Sequence, residues 1–122
     1  MLRILLGMLF CLPAFGSNLD YTLDAVVKML NSKTPMMVDS GTRLDSSYSL
    51  FGTLTYMYTL VDYRADEIDA SAFRDNMRPR LQNGVCSSMT TLIGMGAKIE
   101  YLYFGNEGKK ILSIKIYPED CK

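Results

Sequence analysis

Two cysteines, Cys86 and Cys121, bracket the last stretch of the chain, and what lies between them constrains the fold more than any other feature. The segments AKIEYLYF and KKILSIKIY flank GNEG, a turn signal in which Gly108 suits a positive φ. Both segments alternate apolar and polar residues, the signature of strands with one buried face. A four-residue loop pairs Phe104 with Lys109, Tyr101 with Leu112 and Ile99 with Ile114. Ile99, Tyr101, Leu112, Ile114 and Ile116 then share one face, and Lys98, Glu100, Ser113 and Lys115 the other. Cys86 precedes this unit and Cys121 follows it, so a bond between them would tie the end of the last strand to the helix before it.

Whether the cysteines are bridged depends on compartment. Residues 1–16, MLRILLGMLFCLPAFG, have a basic residue at Arg3, an apolar run from Ile4 to Leu12, then Pro and small residues. This is the layout of a secretory signal peptide, with Ala14 and Gly16 placing cleavage after Gly16. The run is too short to span a bilayer, which takes roughly 20 apolar residues. A lipoprotein signal would want small residues before Cys11, where Leu9 and Phe10 stand, so Cys11 reads as a small hydrophobe within the leader. The remaining even pair, Cys86 and Cys121, favours a structural disulfide in an oxidising compartment, with a redox-active or intermolecular role as the competing expectation. There is no histidine and no CxxC spacing. A zinc site would have to use two thiolates and carboxylates, a poor match to structural sites, so no metal and no cofactor are expected.

Upstream, Leu23, Val26, Val27 and Leu30 mark one face of a helix with Asp20 as a plausible N-cap and Pro35 beyond its end. MMVD is a short extended piece. TRLDSSYSLFGTLTYMYTLVDY then reads as strands with a turn near Leu50 to Gly52. Leu54, Tyr56, Tyr58 and Leu60 form its apolar face, opposite Thr53, Thr55, Met57 and Thr59. A second helix follows, capped by Asp69, with Phe73, Met77 and Leu81 on one face and a kink or restart expected at Pro79. SSMTTLIGMG reads as a brief further helix with Ser88 as N-cap and Gly96 as a left-handed C-cap. The order predicts a single α+β domain over 17–122: an antiparallel sheet of about four or five strands on two or three helices, with one disulfide.

The same residues exclude several functions. Thirteen basic residues balance thirteen acidic ones, and neither sign is concentrated. Nucleic-acid binding and attraction to a membrane through a polybasic patch are therefore not expected. Nucleophilic catalysis lacks a histidine base, and no GxSxG or SxxK motif is present. Asp66, Glu67 and Asp69 sit where a helix start favours carboxylates. Asp39, Asp45 and Asp62 are the candidates for a carboxylate-based enzyme, held as an alternative. GNEG joins two strands and leads into no helix, so it is not a phosphate loop.

Tyrosine is the most suggestive residue type. Tyr56 and Tyr58 (YMY) and Tyr101 and Tyr103 (YLY) share a spacing, and their rings would form a ladder if the two strands were neighbours. The ladder reads first as core and second as a partner-binding surface. Arg43 and Asp45 flank Leu44 on one strand face, suited to a local ion pair or to partner contact. The chain is accordingly expected to be an exported, non-catalytic module binding another envelope or secreted protein. A small-ligand carrier is a further alternative if sheet and helices enclose an apolar cavity.

Leu81 to Cys121 resembles a pattern of small exported proteins of Gram-negative bacteria, through Cys86, Gly96, Tyr101, Tyr103, Gly108 and Cys121. One group with a similar C-terminal layout is the AspS-type pilotins of type II secretion systems, lipoproteins that bind a segment of the outer-membrane secretin and help to place it. The resemblance implies a periplasmic sheet-on-helix domain, a Cys86–Cys121 bridge and, as an alternative function, a secretion accessory.

Overall fold

Five strands run in the spatial order β1-β2-β3-β4-β5: Met36–Asp39, Thr42–Leu50, Thr53–Leu60, Lys98–Phe104 and Lys110–Ile116. The computed structural model describes residues 18–122. The leader expected over residues 1–16, its cleavage after Gly16 and Cys11 lie outside the described residues. Helix α1 covers residues 18–31, α2 Ala70–Ser88 and α3 Thr90–Gly94. Single 3-10 turns occupy Ala65–Glu67 and Pro118–Cys121.

Three of the four strand pairs are antiparallel, but β3 and β4 are parallel. A parallel pair needs a crossover, and α2 with α3 provides it. The helices cover one face. Leu23 of α1 and Val85 of α2 are buried against Leu44, Leu54, Ile99, Leu112, Ile114 and Ile116.

The β4–β5 face pattern is as the alternation requires, with Ile99, Tyr101, Leu112, Ile114 and Ile116 all buried on the core side. The register differs. Ile99 pairs with Ile116 and Tyr101 with Ile114, two residues from the pairing that a four-residue loop gives. The Gly105 amide donates to the Lys109 carbonyl at 2.9 Å, and that of Gly108 to the Gly105 carbonyl at 3.0 Å, so the loop closes one residue further on. An irregularity beside Tyr103/Phe104 supplies the second residue. A shift of two leaves every side chain on its own face, which is why the pattern could not expose it. Gly108 has φ 86°, as its place in the turn demands.

Three local expectations are corrected. Residue 18 is already helical, so Asp20 lies within α1 rather than capping it. Of the kink or restart expected at Pro79 the restart is absent: α2 is continuous through it, and the bond that proline forfeits falls on the solvent side, where water can serve the Asp75 carbonyl. Ser88 ends α2, and the residue at the start of α3 is Met89, with no side-chain cap. Asp69 does cap α2, accepting from the Ala72 amide at 3.2 Å. Gly96 takes φ 93° behind α3.

Strand β1 reaches only along the first residues of β2, leaving Ser47 without a strand neighbour on that side. Asn31, at the end of α1, substitutes for one. Its carboxamide oxygen accepts from the Ser47 amide at 2.8 Å and its nitrogen donates to the Ser47 carbonyl at 2.9 Å. One side chain thereby blunts part of the sheet edge.

The tail is fastened to α2. Cys86 and Cys121 form a disulfide with Cα atoms 5.2 Å apart. Around it Arg78 donates to the Lys115 carbonyl at 3.1 Å and to the Asp120 carboxylate at 3.2 Å, and Gln82 donates to the Asp120 carbonyl at 2.8 Å. At the other end of the sheet the β4–β5 turn latches onto the start of the crossover. The Asn106 amide donates to the Tyr63 carbonyl at 2.8 Å, and the Glu107 carboxylate accepts from the Ala65 amide at 3.0 Å.

Reducing the bridge, or the paired change Cys86→Ser with Cys121→Ser, is expected to lower unfolding free energy by about 3–4 kcal/mol, from the chain entropy of a loop this long. Urea unfolding of oxidised and reduced protein measures it. Gly105→Ala should cost about 1–3 kcal/mol, because a Cβ there would collide with the Ala65 amide and the Glu107 carboxylate. Thermal melts of the two proteins check it.

Candidate functional site

Parallel pairing sets Tyr56 beside Tyr101 and Tyr58 beside Tyr103, so the two Tyr-x-Tyr pairs meet. Ring centroids are 5.2 Å apart in each cross-strand pair, with planes inclined by 9° and 19°. Tyr56 and Tyr58 stack at 6.2 Å along β3, and Phe73 of α2 closes the stack edge-on against Tyr103 at 4.9 Å. The ladder lies on the helix-covered face. Tyr56, Tyr101 and Tyr103 are buried and Tyr58 is partly so.

Burial raises the ionisation of all four phenols. Desolvation is the largest cause in each case, because the phenolate would leave water for an apolar layer. Tyr103 is pushed up to about 12, with the Asp39 charge adding to desolvation. Tyr58 and Tyr101 are driven higher still, and neighbouring phenols of the ladder add to the shift.

No helix covers the opposite face of the sheet among the described residues. Thr55 donates there to the Glu100 carboxylate at 2.9 Å. At one end Arg43 and Asp45 form an ion pair at 2.6 Å, and Thr59 donates to the second Asp45 oxygen at 2.5 Å. The two side chains do point the same way, and Asp45 occupies an irregularity between Leu44 and Ser46. Each is about a third to two-fifths exposed, and each has a partner within the chain. Asp39 and Asp62 flank the Gly41 turn. The Gly41 amide holds the Asp39 carboxyl below the usual carboxylate range, with burial opposing and Thr42 assisting. A carboxyl held ionised in this way is a poor proton donor near neutral pH.

The other end of the sheet carries a feature the sequence reading passed over. The turn expected near Leu50 to Gly52 is a two-residue hairpin, with Leu50 paired to Thr53. Both central residues have positive φ, 50° at Phe51 and 77° at Gly52. Asn or Asp is the usual first residue of such a turn, and a bulky side chain there is strained. Phe51 is 88% exposed and Leu50 58%. They wall two clefts. One, of about 290 Å³, is completed by Asp20, Leu23, Asp24 and Ser49, and the other, of about 280 Å³, by Tyr48, Thr53, Thr55, Glu100 and Lys115. The available signal was a Phe directly before the turn glycine.

No protein-family model matches the chain, and no curated protein does. Solved structures do share its shape. A Pseudomonas aeruginosa protein described as a candidate secreted protein matches with TM-score 0.73 at 20% identity, over 86% of this chain and 94% of its own. The pilotin EpsS of the Vibrio vulnificus type 2 secretion system matches with TM-score 0.73 at 12% identity, over 90% and 97%. The type II secretion pilotin AspS of Vibrio cholerae matches with TM-score 0.64 at 14% identity, over 89% and 97%. At these identities the likeness is one of fold.

The ladder predicts an alkaline limit. A phenol whose folded pKa lies above its unfolded value stabilises the fold fully below pH 10, and that contribution is lost as pH rises through the folded pKa. Stability should therefore decline from about pH 10 upward, with part of the tyrosinate absorbance appearing only as the chain unfolds. Parallel absorbance and circular-dichroism titrations test it; full ionisation of all tyrosines in the folded protein would contradict the ladder's burial.

Proposed function

We propose that the chain is an exported accessory protein that binds another protein of the cell envelope, performs no chemistry of its own and acts in the manner of a pilotin. The observation carrying this reading is the match in fold of about nine-tenths of the chain to two pilotins, with TM-scores of 0.73 and 0.64. A disulfide fits an oxidising compartment, which supports export to the periplasm with removal of residues 1–16. The absence of histidine and the internal pairing of Asp45 support a binding role over a catalytic one. Among the described residues no helix is long and apolar enough to cross a membrane. The chain departs from the lipoprotein pilotins at Cys11, which follows Leu9 and Phe10.

Deleting the gene in its own host should leave much of an outer-membrane secretin in the inner membrane, as read by membrane fractionation. A secretin that assembles at normal level in the outer membrane would remove the pilotin form of the proposal. The mature protein recovered from the periplasm should begin at residue 17 and show no free thiol by mass spectrometry.

A further inference from the structure

The Leu50–Phe51 tip has no role in the interior, yet the fold tolerates a strained aromatic at its summit. Asn at position 51 would suit the turn better and leave less apolar surface in water. Strain kept at an exposed position points to use, as does an apolar knob standing between two clefts. Asp20 and Asp24 line the one beside α1; Ser49 donates to Asp24 at 3.1 Å, and among the described residues neither carboxylate is in an ion pair. A flat bilayer would meet the knob but would leave both clefts empty, and an anionic lipid surface would be repelled by the two carboxylates. A protein segment can fill knob and clefts together.

We infer that the β2–β3 hairpin tip is the anchor of a protein-docking site. Its occupant is a segment of a partner protein that surrounds Leu50 and Phe51 with apolar side chains and sets a Lys or Arg against Asp20 and Asp24. This rests on the reading of the chain as a protein-binding module, and it names the surface and the partner's chemistry. Buried aromatic anchors dominate interfaces of this kind. The cation would add orientation and encounter rate.

Tyr21, Tyr48, Tyr63 and Tyr117 are exposed as well, so the surface is read position by position with site-specific crosslinking. A benzophenone amino acid is placed singly at Phe51, Val38, Met57 and Tyr63 in the full chain, made in its own host, and adducts are identified by mass spectrometry. The expected result is a protein adduct at Phe51 whose crosslinked segment carries Lys or Arg among apolar residues. A synthetic peptide of that segment should bind the purified protein at least about tenfold more weakly after Phe51→Asn. Asp24→Asn should weaken it about threefold. The Phe51→Asn protein should melt no lower than the parent, since the change relieves the turn. Adducts only from Val38, Met57 or Tyr63 would overturn the tip while leaving the binding module intact. Phe51 adducts only to phospholipid or to a second copy, an acidic contact segment, or a lowered melting point in Phe51→Asn would also overturn it. Protein adducts from none of the four positions would overturn the binding module itself.

Discussion

At the centre of the sheet β3 and β4 run side by side in the same direction, and a parallel pair cannot be closed by a turn. The chain must leave one end of β3 and return to the other, so residues 61–97 have to travel the length of the sheet. They do so as α2 and α3, on the face where the apolar side chains of β3, β4 and β5 point. The tyrosine ladder is the direct product of that pairing. In an antiparallel register the two Tyr-x-Tyr segments would face each other in reverse order, and the same four rings would have had different neighbours.

The covalent and polar fastenings serve this crossover. Its start is held where Asn106 and Glu107 bond to Tyr63 and Ala65, and its long helix α2 is held where Cys86, Arg78 and Gln82 meet the tail. A domain of this size keeps only a modest margin of stability, and a bridge worth about 3–4 kcal/mol is a large share of it. Helices on one face leave the other to side chains that satisfy one another, through Thr55 with Glu100 and Arg43 with Asp45 and Thr59. The result is a scaffold whose interior is committed to packing, which leaves its uncovered face, its edge and its turns to solvent.

The shared shape with two pilotins and a Pseudomonas protein described as a candidate secreted one, at identities between 12% and 20%, fits that division. Apolar alternation and a crossover can be met by many sequences, whereas exposed side chains are free to differ. Leu50, Phe51 and the neighbouring carboxylates belong to the second class.

Much was legible from residues alone. The alternation in AKIEYLYF and KKILSIKIY assigned faces, Asp69 announced the start of α2, and Gly108 and Gly96 marked backbone that only glycine adopts readily. These are local properties, set by side-chain period and by sterics within a few residues. The sequence could pair Cys86 with Cys121 once export was granted, because no other mature cysteine competes. The β4–β5 register was not legible, since a slip of two residues preserves every face. Nor was the parallel neighbour of β3, the use of Asn31 as a surrogate strand, or the positive φ of Phe51, where nothing in the residue type requests it. Those depend on which distant segments meet, and only the closed sheet, with its crossover in place, decides that.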